Sequence, residues 1–271
     1  MCNFKSAIAV KDASEAIGFR LVWSPFSESH EDLVRIFCLK DTRDNLARVE
    51  FSPSDLSTAH RVETYSLVID EARTPEWLTP EGEAEIVRRL RNYISTIIID
   101  GEVDLLVGGQ FILSPDAKIN TVGEACVINA MLGDSQVGEM LGNAQVGEMW
   151  GDAQIGNMWD TSQVGRMRGN SKIGAMLGTS QIGAMWDTSK VGRMRGDSKI
   201  GAMWNTSKVG AMWDTSQIGE MLGTSQVGEM WETSQIGTML DTSKIGAMRD
   251  SAKVGTMRGD SKVENDWRMW P

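Results

Sequence analysis

Ser171-Lys172-Ile173-Gly174-Ala175-Met176-Leu177-Gly178-Thr179 is followed by Ser180-Gln181-Ile182-Gly183-Ala184-Met185-Trp186-Asp187-Thr188, and the two nonapeptides align residue for residue. The same alignment extends in both directions. From Ala117 to Asp260 the chain is 144 residues long, sixteen units of nine, and a partial unit Ser261-Lys262-Val263 follows. A fixed short period of this kind marks a solenoid, in which each unit buries its apolar face only against its neighbours.

The unit can be read position by position. Position one is Ser or Ala, with Cys126 once; position three is Val or Ile; position six is Met in fifteen of the sixteen units. These face inward. Position two, Gln or Lys apart from Val127, lies between two inward residues and faces water, the alternation of a strand. Two residues separate positions three and six, and the first is Gly from Gly138 to Gly255, preceded by Asn120 and Asn129. Gly and Asn tolerate a left-handed backbone, so a bend is expected there. Position eight, Gly, Asp, Asn or Glu, marks a second bend. The unit therefore reads as two short strands joined by corners. Nine residues cannot enclose a filled interior, whereas eighteen can, so two units form one coil. Sixteen units give about eight coils at about 4.8 Å each, a rod of roughly 38 Å.

Other repeat architectures fit less well. Gly, Ser and Val in every nine residues oppose a helical solenoid. A calcium-binding nonapeptide roll needs a regular Asp in a Gly-rich turn, and here the acidic position is interchangeable with Gly. No metal and no cofactor is expected.

Position seven follows the inward Met and should point outward. It carries Trp150, Trp159, Trp186, Trp204, Trp213 and Trp231, with Leu141, Leu177, Leu222 and Leu240, and with Arg168, Arg195, Arg249 and Arg258. Three readings are open. The columns are cross-coil ladders that stabilise the rod, stripes for self-association, or a stacking platform for sugars or single-stranded nucleic acid. Glu139, Glu148, Glu220 and Glu229 sit two positions away and weigh against nucleic acid. Recurrent Thr-Ser pairs such as Thr188-Ser189 raise a water-ordering or ligand-binding face as a further option, roughened by Lys190, Lys208 and Lys244.

The repeat explains an unusual composition of 28 Gly, 17 Met and 10 Trp in 271 residues. The net charge is −10, of which residues 1–116 carry 12 basic and 20 acidic side chains. That balance argues against a general nucleic-acid or anionic-membrane binder. No apolar run of membrane-spanning length exists, and the apolar run near the start is too short for a signal peptide. Cys2, Cys38 and Cys126 form no disulfide framework. These features point to a cytosolic, reduced protein.

Residues 1–116 read as a small α+β domain, 117–263 as the β-solenoid and 264–271 as a tail. Strands are expected at Asn3–Val10, Phe19–Trp23, Ala47–Phe51 and Thr64–Ile69. A helix capped by Ser27 or Ser29 should run through Cys38, and another should begin at Thr79-Pro80 and reach about Ser95. The first domain would cover one end of the rod and the tail, with Trp267 to Pro271, the other. Cys2 suggests one chemistry: removal of Met1 would leave a thiol and a free α-amine on one residue, with His30 and Asp32 as orienting partners.

The opening Met1-Cys2-Asn3-Phe4-Lys5-Ser6, with Ser29-His30-Glu31-Asp32-Leu33, Arg48-Val49-Glu50 and Thr74-Pro75-Glu76-Trp77, resembles a family of uncharacterised bacterial and phage proteins. Its members begin in this way and end in short tandem repeats of Ser/Ala-x-Val type. The resemblance implies a phage or bacterial origin and a cytosolic setting; it carries no activity and no site residues. The tail is also similar to pentapeptide-repeat solenoids, some of which mimic DNA, but it departs from them in its period of nine and its near-neutral charge. The leading expectation is a non-enzymatic interaction protein, docking a protein partner or a second copy of itself. An N-terminal cysteine hydrolase or amidotransferase with the rod as targeting arm is the alternative.

Overall fold

The structure is a computed structural model describing residues 5–24, 27, 29–42, 45–71 and 73–268. The chain divides into two compact units, Met1–Ile98 and Ile99–Pro271.

The first unit is the expected α+β domain. Strands β1 (Lys5–Lys11), β2 (Phe19–Val22), β3 (Leu46–Pro53) and β4 (Tyr65–Ile69) form an antiparallel sheet in the order β2-β1-β3-β4. Helix α1 (His30–Ile36) starts where Ser29 accepts a hydrogen bond from the Asp32 N–H, and it packs Leu33 against Ile8, Val22 and Leu46. Helix α2 (Pro80–Ile97) starts at Thr79, with Pro80 in its first turn. Its apolar stripe Ile86, Leu90 and Ile94 is fully buried, the four-residue spacing of a core-facing helix. Gly82 lets α2 close on the sheet, since a Cβ there would sit 3.2 Å from Phe19.

The second unit is a β-solenoid of two ten-stranded parallel sheets. Partners lie eighteen residues apart, as Val137 with Ile155 and Met140 with Met158, so two units do make one coil. Odd and even units supply alternate sheets. The sheet containing Lys118–Val122, Gln136–Met140 and Gln154–Met158 is here called the first sheet. The sheet containing Cys126–Met131, Gln145–Met149 and Gln163–Met167 is the second. Backbone bonding continues past the strand ends: the Trp150 N–H donates to the Met131 carbonyl at 2.9 Å.

The interior of each unit differs from the expectation in one respect. Each unit is one five-residue strand, positions two to six, rather than two short strands. The glycine at position four is not left-handed. It is required by the coil stacked on it: a Cβ on Gly201 would lie 2.4 Å from the Gly183 carbonyl oxygen. The left-handed residue is at position eight, where Gly133, Asp160, Asp187, Asn205 and Glu232 all have positive φ. An acid there accepts the N–H of the same position one coil back, as Asp187 does from Gly169 at 3.0 Å and Asp241 from Gly223 at 2.9 Å. This use explains why acid and glycine interchange at that corner. Position nine is similarly occupied: the Thr206 hydroxyl donates to the Asp187 carbonyl at 2.9 Å.

The core is three columns. From Ile119 to Met248, Val and Ile of position three and Val and Met of position six are essentially inaccessible, and so are the serines of position one from Ser135 to Ser243; in the last repeat Met257 is exposed. The Ser198 hydroxyl, like those of Ser180 and Ser216, is buried with no hydrogen-bond partner. An unsatisfied hydroxyl costs about 1–3 kcal/mol, and Ala144, Ala153 and Ala252 already occupy the same position. Ser198→Ala is therefore expected to raise stability by about 1 kcal/mol; a lower chemical-unfolding midpoint would show that the hydroxyl is used.

Both ends of the solenoid extend beyond the repeat. The strands Ile98–Ile99, Glu102–Leu106 and Gly109–Leu113 stack under the repeat in the two sheets, so the solenoid begins before Ala117. At the other end the chain does not leave the coil at Glu264. Lys262–Asp266 is a strand in register with Lys244–Met248, and Trp267 lies 4.1 Å from the Arg249 guanidinium. Met269, Trp270 and Pro271 of the expected cap lie outside the described residues.

Candidate functional site

Three surfaces carry the sequence candidates: the solenoid edges, the solenoid faces and the α1–β3 region of the first unit.

Each coil has two corners, so position seven forms two columns, one per edge. Trp150, Arg168, Trp186 and Trp204 follow one another on one edge. The Trp186 and Trp204 rings stack at 4.9 Å and 3°. The Arg168 guanidinium lies 4.9 Å from the Trp150 ring and 5.9 Å from Trp186. On the other edge Arg195 covers Trp213 at 5.0 Å, and Arg249 lies between Trp231, at 4.4 Å, and Trp267. Trp231 and Trp150 also donate their indole N–H groups to Glu229 and Glu148, both at 2.9 Å. The columns thus spend much of their ring surface on each other. Trp159 is more open, at 38% exposure.

The faces differ in charge. In the first sheet, position two reads Lys118, Gln136, Gln154, Lys172, Lys190, Lys208, Gln226, Lys244 and Lys262. In the second sheet only Lys199 and Lys253 are basic at that position. The register stacks Lys172 on Lys190 and Lys190 on Lys208. Beside this column runs the row of position four, glycine from Gly138 to Gly246, so the surface is grooved: Gly192, Gly210, Gly228 and Gly246 line it together with the lysines, and Glu264 closes its end. Lys118 pairs with Glu102 at 3.3 Å and Lys262 with Glu264 at 3.6 Å. Lys172, Lys190, Lys208 and Lys244 have no ion pair among the described residues.

In the first unit the structure rearranges the expected catalytic group. Cys2 lies outside the described residues. Asp32 does not orient His30: its carboxylate takes hydrogen bonds from Arg35 at 2.6 Å and Ser27 at 3.1 Å. His30 is only 6% exposed, and its Nδ1 faces Asp70 Oδ2 at 3.6 Å. Its Nε2 lies 3.1 Å from the Val49 carbonyl oxygen. Glu50 completes the group, the candidate ligand atoms of His30, Glu50 and Asp70 all lying within 4.8 Å of one another. Sequence reading missed Glu50 and Asp70. The one available signal was the alternation along β3, which puts Arg48 and Glu50 on the same sheet face. The remaining cysteines are a contrast: Cys38 is exposed, while Cys126 is buried and its thiol is pushed up to about 11 by burial. Cys126 is therefore an inert core residue.

No helix among the described residues is long and apolar enough to cross a membrane. No family model, no curated protein and no solved structure matches the chain.

Proposed function

We propose that the solenoid is a non-enzymatic docking scaffold whose first sheet receives an acidic, extended segment of a protein partner. The observation that supports this is the run of lysines without ion pairs beside the glycine groove. Like charges stacked directly across a ladder are destabilising. Gln fills the same position in most units of the second sheet and would avoid that cost. Lysine nevertheless recurs on one face, where counting positions two, four and five over all ten strands gives seven basic and five acidic side chains, with Glu102, Asp104 and Glu264 confined to the two ends. A surface of this kind gains its interaction energy when carboxylates approach it.

A protein segment suits it better than nucleic acid. The whole chain is at −10, and a long polyanion meets that net repulsion at a distance, whereas a short acidic segment meets chiefly the local field. Following the resemblance noted in the sequence, we place the setting in a bacterial cytoplasm, with a phage or bacterial gene as origin.

Fluorescence anisotropy of a labelled oligoglutamate peptide tests this. Binding is expected at low salt, and Lys172→Gln/Lys190→Gln/Lys208→Gln should weaken it about tenfold, at roughly 0.5 kcal/mol per exposed pair. Equal binding by the variant would remove the lysine face from the proposal. Tighter binding of a single-stranded oligonucleotide of equal charge would replace the protein partner by nucleic acid. Concentration-dependent sedimentation lost in the same variant would make the partner a second copy.

A further inference from the structure

We propose that His30, Glu50 and Asp70 form a binding site for one divalent transition-metal ion, independent of any docking by the solenoid. The three donors come from separate elements: His30 opens α1, Glu50 lies in β3, and Asp70 directly follows β4. The β3–β4 pairing brings them together. Val49 pairs with Ile69, Glu50 with Val68, and the Asp70 N–H donates to the Arg48 carbonyl at 2.9 Å. Asp70 is therefore held by the backbone beside Glu50, while its carboxylate remains 61% exposed.

The histidine is oriented as a ligand. Its ring is buried, and Nε2 meets the Val49 carbonyl oxygen at 3.1 Å. A carbonyl can only accept, so Nε2 carries the proton. In the neutral ring the lone pair is then on Nδ1, which faces Asp70. Donation of the second ring N–H to a backbone carbonyl is the usual support of a metal-bound imidazole, fixing its tautomer and orientation. The 3.6 Å between Nδ1 and Oδ2 is too long for a hydrogen bond, so the lone pair faces a carboxylate without a direct bond.

Charge points the same way. The nearby cation Arg48 is engaged by Asp41 and, at 3.0 Å, by Glu71. Its guanidinium is thus committed outside the group. One imidazole and two carboxylates suit zinc, manganese or ferrous iron better than calcium or magnesium, which favour all-oxygen sites. Three protein ligands leave a coordination position for water on the exposed Asp70 side, as in open metal sites.

Isothermal titration of the tag-free full chain with zinc chloride, repeated with manganese chloride, is the test. Cys38→Ser serves as the background, because an exposed thiol binds zinc by itself. One saturable site per chain is expected. Asp70→Asn should weaken it at least about tenfold, the scale on which even a supporting residue acts, and Glu50→Gln should do the same. Asp70 is exposed, so its substitution leaves the fold in place, which far-ultraviolet dichroism checks. The His30→Gln variant should also abolish the shift in absorption that cobalt gives on imidazole ligation. Absence of saturable heat, or equal affinity in Asp70→Asn and Glu50→Gln, would overturn the site.

Discussion

Gly201→Ala is expected to unfold the solenoid at a markedly lower temperature than the parent chain. The added Cβ would lie 2.4 Å from the Gly183 carbonyl oxygen and 3.4 Å from its carbonyl carbon. Both are backbone atoms, held by ladder bonds from the coils on either side, so no side chain can swing away. The strand must separate from its neighbour, and the cost should reach the top of the range for overpacking, about 3 kcal/mol or more. At roughly 2–4 °C per kcal/mol for a unit of this size, the midpoint should fall by about 10 °C. Gly223→Asn is the control. Gly223 has φ +68°, and Asn205, one coil earlier at the same position, has φ +56°. Asparagine is the residue best able to take that conformation after glycine, so a loss of about 1 kcal/mol or less is expected. Equal midpoints for Gly201→Ala and the parent would refute the close-approach account of position four.

The same stacking explains what could and could not be read from the sequence. Inward columns are legible because every unit repeats them, and a period of nine with Ser, Val and Met at fixed places leaves little freedom. The reason for Gly at position four is not legible. Both a left-handed bend and a close backbone approach select glycine, and only the neighbouring coil distinguishes them. Position four bears side chains only near the ends: Asn120 and Asn129 in the first units, and Glu264 in the last coil. The first coil is hidden for a related reason. Glu102 pairs with Lys118, an offset of sixteen, and Gly109 pairs with Cys126, an offset of seventeen, with a register shift after Phe111. The eighteen-residue offset is reached only from Ile112 with Ala130 onward, although Val103 and Leu106 already occupy inward places. In the first unit local signals fared well, since Ser29 and Thr79 cap their helices as their residue types suggest. The grouping of His30 with Glu50 and Asp70 was out of reach. Its members are spread over forty-one residues, 30–70, and it depends on the β3–β4 register, which no local pattern encodes.

Trp186→Ser with Trp204→Ser is expected to cost the solenoid about 4 kcal/mol. Half-burial makes each truncation worth less than the 3–5 kcal/mol of a fully buried aromatic, about 1.5 kcal/mol apiece. The stacked ring pair adds about 0.5–1.5 kcal/mol, and the loss of the Arg168 contact to Trp186 about 0.5 kcal/mol. The fold itself should survive, because Leu177, Leu222 and Arg195 show that position seven does not require an aromatic. Trp159→Ser should cost about 1 kcal/mol, since that ring is the more exposed and lies between Leu141 and Leu177 in its column. A double-mutant cycle separates the ladder from its alternative. If the rings hold coil to coil, the two single variants couple by about 1 kcal/mol and the sedimentation coefficient stays that of the parent. If the columns are instead an interface between copies, the coupling vanishes in the monomer while the sedimenting mass falls. Coupling is the expected result, because two indoles stacked at 4.9 Å and 3° already cover one face of each ring across neighbouring coils.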